Sequence, residues 1–132
     1  MSNRQEYAIN GLSKPISHYT DAVRFGDLLF VSGFVAVDDK LNVVGGDDVA
    51  AQTRQIFKNM KAVLDDAGAT FADVLKVTVY LVDIDDRAKI NPVRQEVFGE
   101  SRPASTLIQI SKLAVPGAKI EIEAVVGLNR KS

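Results

Sequence analysis

Charged and apolar positions alternate most regularly between residues 119 and 126, where the sequence reads KIEIEAVV. Successive side chains of a β-strand point to opposite faces, so this pattern predicts a strand with Glu121 and Glu123 on one face and apolar side chains on the other. Another strand is predicted over residues 104–111, with a loop containing Pro116 and Gly117 between the two. Two carboxylates on one strand face are the best candidate for chemistry in the sequence.

Further extended segments are predicted earlier in the chain. Residues 4–9 form a short strand, and residues 22–25 and 28–32 form a hairpin around a Gly26-Asp27 turn. Residues 28–31 are apolar without alternation, which predicts a strand buried on both faces, and Gly33 marks a bulge or a close backbone approach. A strand over residues 74–82 is predicted to place these side chains on one face: Leu75, Val77, Val79 and Leu81.

Helical periodicity predicts a first helix over residues 49–67, with Asp47 as its N-terminal cap and Gly68 as the residue that ends it. Polar residues such as Gln52 fall largely off its apolar stripe. The stripe comprises Val49, Ile56, Phe57, Met60, Val63, Leu64 and Ala67.

The second predicted helix begins at Ile84, after Asp83 as a cap. Pro92 disturbs it, because a proline inside a helix removes a hydrogen bond and clashes with the preceding turn. The helix is therefore either interrupted at Pro92 or restarted there with Asn91 as its cap. In both cases the Asn91 side chain lies at a break in the helix and can form hydrogen bonds outside it.

The order of these elements predicts an α+β fold with two layers, in which two amphipathic helices cover one face of a single mixed sheet. The other sheet face is left half apolar. Because large exposed apolar patches are rare on monomers, we expect a homo-oligomer. The whole chain, residues 1–132, is interpreted as one domain.

Composition narrows the function mainly by exclusion. The formal net charge is −1, from 16 basic and 17 acidic residues, which argues against a nucleic-acid surface. The absence of cysteine excludes a thiol nucleophile and a thiolate metal site, and a single histidine, His18, excludes a multi-histidine zinc site. No apolar run approaches the roughly 20 residues of a membrane span, and no signal-peptide pattern is present, so we expect a cytoplasmic protein.

Several features with a shared order along the chain carry a family resemblance. The early loop contains Pro15-x-x-x-Tyr19, a helix–strand–helix core follows, residues 103–105 read PAS, and KIEIEA stands near the C-terminus. Together these features resemble the RidA/YjgF family of reactive-intermediate deaminases. The resemblance implies a chorismate-mutase-like α+β fold and a homotrimer with active sites between subunits. It also implies hydrolysis of enamines and imines, including 2-aminomuconate in some relatives, without a metal or organic cofactor.

The resemblance also implies candidate site residues. The family's catalytic positions fall on Tyr19, Asn91 and Glu121, and Glu121 would activate the attacking water. The family's substrate-clamping arginine falls on Ser105, which lacks the two-pronged grip of a guanidinium on a carboxylate. This departure points to a substrate such as 2-aminomuconate or a related unsaturated amino acid. The residues with an expected role in substrate binding are Ser105, Thr106, His18, Arg102 and Phe30.

Three arginines are possible replacements for the missing clamp: Arg102, Arg24 and Arg94. Arg102 is closest in sequence to Ser105, but three residues along a strand it would point to the other face unless Pro103 bends the chain.

Each candidate also has an ordinary structural interpretation. Glu121 and Glu123 can form a solvated strand face, Tyr19 can anchor its loop, His18 can be a surface residue and Asn91 can cap a helix. For the protein as a whole, the alternative to a deaminase is a non-catalytic trimeric small-molecule-binding or chaperone-like module. Ribonuclease is a third possibility, which the near-neutral charge and the single histidine weigh against.

Overall fold

A computed structural model describes residues 3–128, so residues 1–2 and 129–132 of the predicted domain lie outside the described part. Within residues 3–128 the chain forms one six-stranded sheet and two α-helices, joined in places by single turns of 3₁₀-helix. The elements are β1 (Arg4–Tyr7), β2 (Ala22–Phe25), β3 (Leu28–Phe34), α1 (Val49–Ala67), β4 (Val74–Leu81), α2 (Arg87–Phe98), β5 (Ala104–Gln109) and β6 (Ile120–Gly127).

The sheet has the strand order β1-β2-β3-β6-β4-β5. The β4–β5 pair is parallel and the other pairs are antiparallel, so the sheet is mixed. Both helices contribute to the core on one face of this sheet, which confirms the α+β two-layer prediction. No helix within residues 3–128 is long and apolar enough to cross a membrane.

The predicted alternation of β6 is confirmed at the centre of the sheet. Its core-facing side chains, Ile120, Ile122, Ala124 and Val126, are buried, while Glu121 and Glu123 project from the opposite face. Neither α1 nor α2 lies on this opposite face, which we call the open face.

The ends of α1 are fixed by a carboxylate and a glycine. Asp48 is its cap, since its Oδ1 accepts hydrogen bonds from the backbone N–H groups of Ala50 and Ala51 at 3.0 and 3.1 Å. The prediction of Asp47 is therefore wrong by one residue. At the other end Gly68 has φ 75°, as the C-terminal prediction requires.

Gln52 on α1 is fully buried, although its polarity predicted a position off the apolar stripe. Its side-chain amide donates to the carbonyl oxygens of Gly46 and Gly117 at 2.8 and 3.0 Å and accepts from the Lys119 N–H at 2.9 Å. These hydrogen bonds offset most of the free-energy cost of removing the amide from water. It ties α1 to the loop that leads into β6.

The interpretation of β3 as a strand buried on both faces is wrong within this chain. Leu29 and Val31 are buried, but Leu28 and Phe30 are 40% and 47% exposed, because only one sheet face is covered by helices. On β4 a bulge in the pairing with β6 buries Val74 and leaves Leu75 half exposed, which corrects the predicted face for Leu75.

A 3₁₀ turn, Ile84–Asp86, precedes α2, and Asp83 caps this turn by accepting from the Asp85 N–H at 2.9 Å. The helix itself then runs through Pro92 without a break. Both predicted alternatives, an interruption or a restart capped by Asn91, are therefore wrong. Because proline has no N–H, the Ala88 carbonyl lacks its usual helical partner at residue 92. Ala88 and Pro92 are both exposed, so water can bond to this carbonyl.

The open face confirms the half-apolar surface that the sequence predicts. Strand pairing places Phe25, Leu28 and Phe30 on this face, and Ile108 lies on it in register with Tyr80. Each of these side chains is at least partly exposed. The homo-oligomer expected from this surface stays a prediction.

Candidate active site

Glu121 lies in the wall of a cavity of about 300 Å³, which we call the carboxylate cavity. The cavity is enclosed by the loop before β2, the second half of β3 and the loop before β6. Its lining residues are Ile16, Ser17, Tyr19, Ser32, Gly33, Val35, Ala114, Val115 and Glu121. Apart from the Glu121 carboxyl, the side chains are neutral, so the acid faces a mainly apolar space.

Gly33 makes room for the Glu121 side chain. The β3–β6 pairing shifts register between Val31 and Phe34, as the prediction of a bulge or close approach at Gly33 anticipates. A Cβ atom at Gly33 would lie 2.8 Å from Cδ of Glu121, closer than real Cβ atoms approach another carbon, and 3.1 Å from Cγ, which is unusually tight. The Glu121 carboxyl therefore rests directly over the backbone of β3 and is held at the cavity wall.

The environment of Glu121 favours its neutral form. Burial raises the pKa of Glu121 above its ordinary value of 4.5, and the nearby charge of Glu123 raises it further. Glu123 is held by Tyr80, whose hydroxyl donates to Oε1 at 2.7 Å. That hydrogen bond, together with burial, raises the pKa of Tyr80 to about 12. The pair of carboxylates is therefore asymmetric: Glu123 accepts a hydrogen bond from Tyr80, whereas Glu121 is shifted toward the protonated acid.

Tyr19 lines the carboxylate cavity together with Glu121. Its hydroxyl accepts a long hydrogen bond from the Ile16 N–H at 3.4 Å, and the ring is 46% exposed. The loop is fixed just after Tyr19, where the Thr20 carbonyl accepts from the Ser32 hydroxyl at 2.6 Å. His18 is exposed on the same loop and is not among the lining residues.

A second concave region lies between α2 and the start of β5. It is a cleft of about 270 Å³, which we call the arginine cleft. Its lining residues are Asn91, Arg94, Gln95, Phe98, Gly99, Arg102 and Pro103. Asn91, Arg94 and Phe98 follow one another at spacings of three and four residues, so one stripe of α2 faces the cleft.

Ser105 is linked to the arginine cleft by its side chain. Its Oγ lies 2.8 Å from Nη2 of Arg94, which donates a hydrogen bond to it. In the β4–β5 pairing Ser105 is opposite the buried Val77, so it points to the helix-bearing side of the sheet. Glu121 points to the open face. Within one chain, therefore, Ser105 and Glu121 do not meet.

Four of the predicted site residues thus fall into two groups. Glu121 and Tyr19 share the carboxylate cavity, whereas Asn91 and Arg102 share the arginine cleft. Two other residues lie on the open face outside both regions. Thr106 is bonded to the ammonium of Lys76 at 2.9 Å, and Phe30 pairs across the sheet with Val125.

Residues that the sequence did not select contribute to both regions. Ser32, Val35 and Val115 line the carboxylate cavity, and Tyr80 anchors Glu123. The alternation of β4 does indicate that Tyr80 shares a face with polar neighbours, but its partner on β6 depends on strand register. Within residues 3–128, no group of three His, Cys, Asp or Glu side chains is placed to hold a metal ion.

The same architecture occurs in a solved structure of RidA from an Antarctic Psychrobacter species. The two match with a TM-score of 0.87 and 30% sequence identity, over 94% of this chain and 99% of that chain. Fold and site together thus define a small RidA-like α+β protein.

A family model described as Endoribonuclease L-PSP matches residues 10–127. The chain belongs to this family, which is the RidA/YjgF family of the sequence resemblance. The match spans both the carboxylate cavity and the arginine cleft.

Three relatives indicate the chemistry found in the family. A RutC family protein of Pyrococcus horikoshii is 45% identical over 112 residues, 85% of this chain and 88% of its own length. The 3-aminoacrylate deaminase RutC of Acinetobacter baylyi is 36% identical, covering 87% and 90%. A 2-iminobutanoate/2-iminopropanoate deaminase of Salmonella typhimurium is 35% identical, covering 83% and 87%. Two of these names describe deamination of a small enamine or imine acid.

Proposed function

We propose that this protein hydrolyses the enamine or imine form of a small unsaturated amino acid and releases ammonia, with Glu121 as the acid–base group. The observation that carries the proposal is the half-buried Glu121 carboxyl, held over Gly33 in a cavity with Tyr19. A carboxyl with a raised pKa in a cavity is the kind of group that moves protons at near-neutral pH. The deaminase names of the relatives support the same chemistry.

The reaction needs a series of proton transfers, each of which the same carboxyl can perform. For an enamine substrate, protonated Glu121 gives its proton to the carbon, and the C=C–N unit becomes an iminium. The resulting carboxylate takes a proton from water as the water oxygen bonds to the iminium carbon. That proton then goes to the nitrogen, the C–N bond breaks and ammonia leaves, and the hydroxyl proton returns to the Glu121 carboxylate as the carbonyl compound forms. The raised pKa of Glu121 keeps both protonation states accessible.

Tyr19 is proposed to position the substrate or the water, since its hydroxyl is at the cavity and holds only a long bond to Ile16. Asn91 is proposed to act from the arginine cleft of a neighbouring copy. The carboxylate cavity and the arginine cleft are then two halves of one site, joined between subunits of a homotrimer. The exposed apolar side chains of the open face support such an association.

The proposed substrate is 2-aminomuconate or a related unsaturated amino acid rather than a small 2-imino acid bound by an arginine at position 105. Serine stands there and cannot form the bidentate pair. The family description mentions an endoribonuclease, but a net charge of −1 offers no electrostatic attraction for RNA.

Ammonia release from a panel of substrates tests the proposal. The panel contains 3-aminoacrylate, 2-iminobutanoate and 2-aminomuconate, the first two generated in situ by a coupled enzyme. We expect release from at least one substrate at a rate above the uncatalysed hydrolysis. Release from none, combined with ligand protection against thermal unfolding, would instead identify a binding module. We expect light scattering on the same sample to show a trimer. A monomer at micromolar concentration would contradict a site shared between subunits.

A further inference from the structure

Arg94 has an unusual environment for a cation. Its guanidinium is half-buried, and its described hydrogen-bond partner, Ser105 Oγ at 2.8 Å, is neutral. The ion pairs found within residues 3–128 do not include Arg94. A guanidinium carries five N–H donors, so most of its bonding capacity is left for a partner outside the chain. Burial also lowers the pKa of Arg94, although an arginine remains charged at neutral pH.

The other lining residues of the arginine cleft favour an anion. Arg102 brings a second positive charge, and the side-chain amides of Asn91 and Gln95 bring further N–H donors. Phe98 and Pro103 provide apolar walls. Among residues 3–128, none that lines the cleft is acidic. A carboxylate with a short carbon chain matches this combination of two cations, amides and an apolar wall.

The hydrogen bond to Ser105 selects Arg94 rather than Arg102 as the anchoring cation. Arg94 extends from α2 toward the start of β5 and is fixed there by the Ser105 hydroxyl, whereas Arg102 is exposed on the chain before β5. A guanidinium with one N–H fixed loses less conformational entropy when it binds an anion. The guanidinium next to position 105 therefore belongs to Arg94 on α2, not to the side chain of residue 105 itself.

We infer that Arg94, held in place by Ser105, binds the carboxylate group of the substrate. The inference rests on the proposed function for the identity of the ligand, because a substrate that is an amino acid brings a carboxylate. Arg94 then sets specificity for acids, and Ser105 is a positioning residue that acts through it. Because the guanidinium starts from α2, the carboxylate is gripped from a different direction than by an arginine on β5.

Binding of 2-oxobutanoate, measured by calorimetry, tests this inference without requiring turnover. This 2-oxo acid carries a carboxylate next to the carbon that reacts, as 2-aminomuconate does, and it has no nitrogen to release. We expect Arg94→Gln to weaken its binding about tenfold or more, equivalent to about 1.4 kcal/mol. Arg54→Gln is the matched control, since it removes the same charge from the exposed side of α1 and should leave binding unchanged.

Two further variants separate a binding role from a structural one. Ser105→Ala should weaken binding and raise KM while kcat stays the same, and Ser105→Thr, which keeps the hydroxyl, should restore wild-type values. The double variant Arg94→Ser with Ser105→Arg should recover binding that Arg94→Ser alone loses, because it moves the guanidinium to β5. Circular dichroism and thermal unfolding would confirm that each variant is folded.

Unchanged binding in folded Arg94→Gln would overturn the inference, as would an equal loss in the Arg54→Gln control. No binding to the wild type at millimolar 2-oxobutanoate would overturn it as well. These outcomes are distinct from failure of the proposed function. A wild type that binds the probe through Arg94 but releases no ammonia from the panel refutes the deaminase and leaves the carboxylate site in place.

Discussion

The carboxylate cavity and the arginine cleft are similar in size and opposite in chemistry. The cavity of about 300 Å³ contains an acid without a cation, and the cleft of about 270 Å³ contains two cations without an acid. Burial disfavours the charged form in both, since it raises the pKa of Glu121 and lowers the pKa of Arg94. The two groups lie on opposite sides of the sheet, so neither can compensate the other within one chain.

This difference indicates how a complete site can arise. A substrate that carries both an amine and a carboxylate needs an acid–base group and a cation, and each region supplies one of the two. Bringing the cavity of one copy against the cleft of another would place both around one ligand. Substitutions can disable the cavity and the cleft separately.

Glu121→Gln should have the largest effect on catalysis and almost none on carboxylate binding. Removal of a general acid–base group lowers the rate by about 10²–10⁴-fold. The amide keeps the shape of the side chain, so binding of 2-oxobutanoate through the arginine cleft should change little. Steady-state ammonia release and calorimetry on one preparation measure both. A rate within threefold of wild type would remove Glu121 from the mechanism.

Gly33→Ala should lower the rate of ammonia release, and it should do so only by displacing the Glu121 carboxyl. The new Cβ would collide with the Glu121 carboxyl, the mobile end of a flexible side chain, so the carboxyl moves and the fold is retained. Misplacement of a catalytic group by about 1 Å can cost about 10²-fold. The double variant Gly33→Ala with Glu121→Gln should be no slower than Glu121→Gln, because the alanine acts through the carboxyl. Additive losses would contradict that coupling.

Glu123→Gln should produce the smallest effect, a shift in the pH profile of kcat/KM. The first step on an enamine requires protonated Glu121, so kcat/KM is lost as the pH rises through the pKa of Glu121. The negative charge of Glu123 raises that pKa, and removing the charge lowers it, so the alkaline limb should move to lower pH. Tyr80→Phe keeps the Glu123 charge and should keep the alkaline limb near its wild-type position. A shift to higher pH in Glu123→Gln would contradict the assigned electrostatics.

Local patterns were enough to predict the elements that are governed by nearby residues. The α1 helix has the predicted bounds because an amphipathic stripe ends at a glycine in the left-handed region, and β6 alternates as KIEIEA requires. Local patterns did not predict side-chain positions that depend on residues far away in the sequence. Gln52 is buried because Gly117 and Lys119, 65 and 67 residues away, complete its hydrogen bonds. Leu75 is displaced by a bulge that arises only when β4 pairs with β6.

The candidate site shows the same division. Glu121 and Tyr19 could be selected from strand alternation and family resemblance, and they do share a cavity. Arg94 was one of three possible cations, because its contact with Ser105 depends on how α2 packs against β5. The periodicity of the sequence does not predict how α2 is oriented relative to β5. Arg94 lies two residues beyond Pro92, in the part of α2 whose helical continuation the sequence did not predict.

Mixed oligomers of two inactive variants test the shared site most directly. Glu121→Gln and Arg94→Gln chains would be co-refolded at equal amounts, with mixing verified by native mass spectrometry, and assayed at substrate concentrations well below KM. If each site takes Glu121 from one copy and Arg94 from another, about one quarter of the sites in a random mixture are intact, since each residue is present with a probability of one half. We predict activity well above the mean of the two separate variants. Verified mixed oligomers with activity no higher than that mean would contradict a site shared between copies.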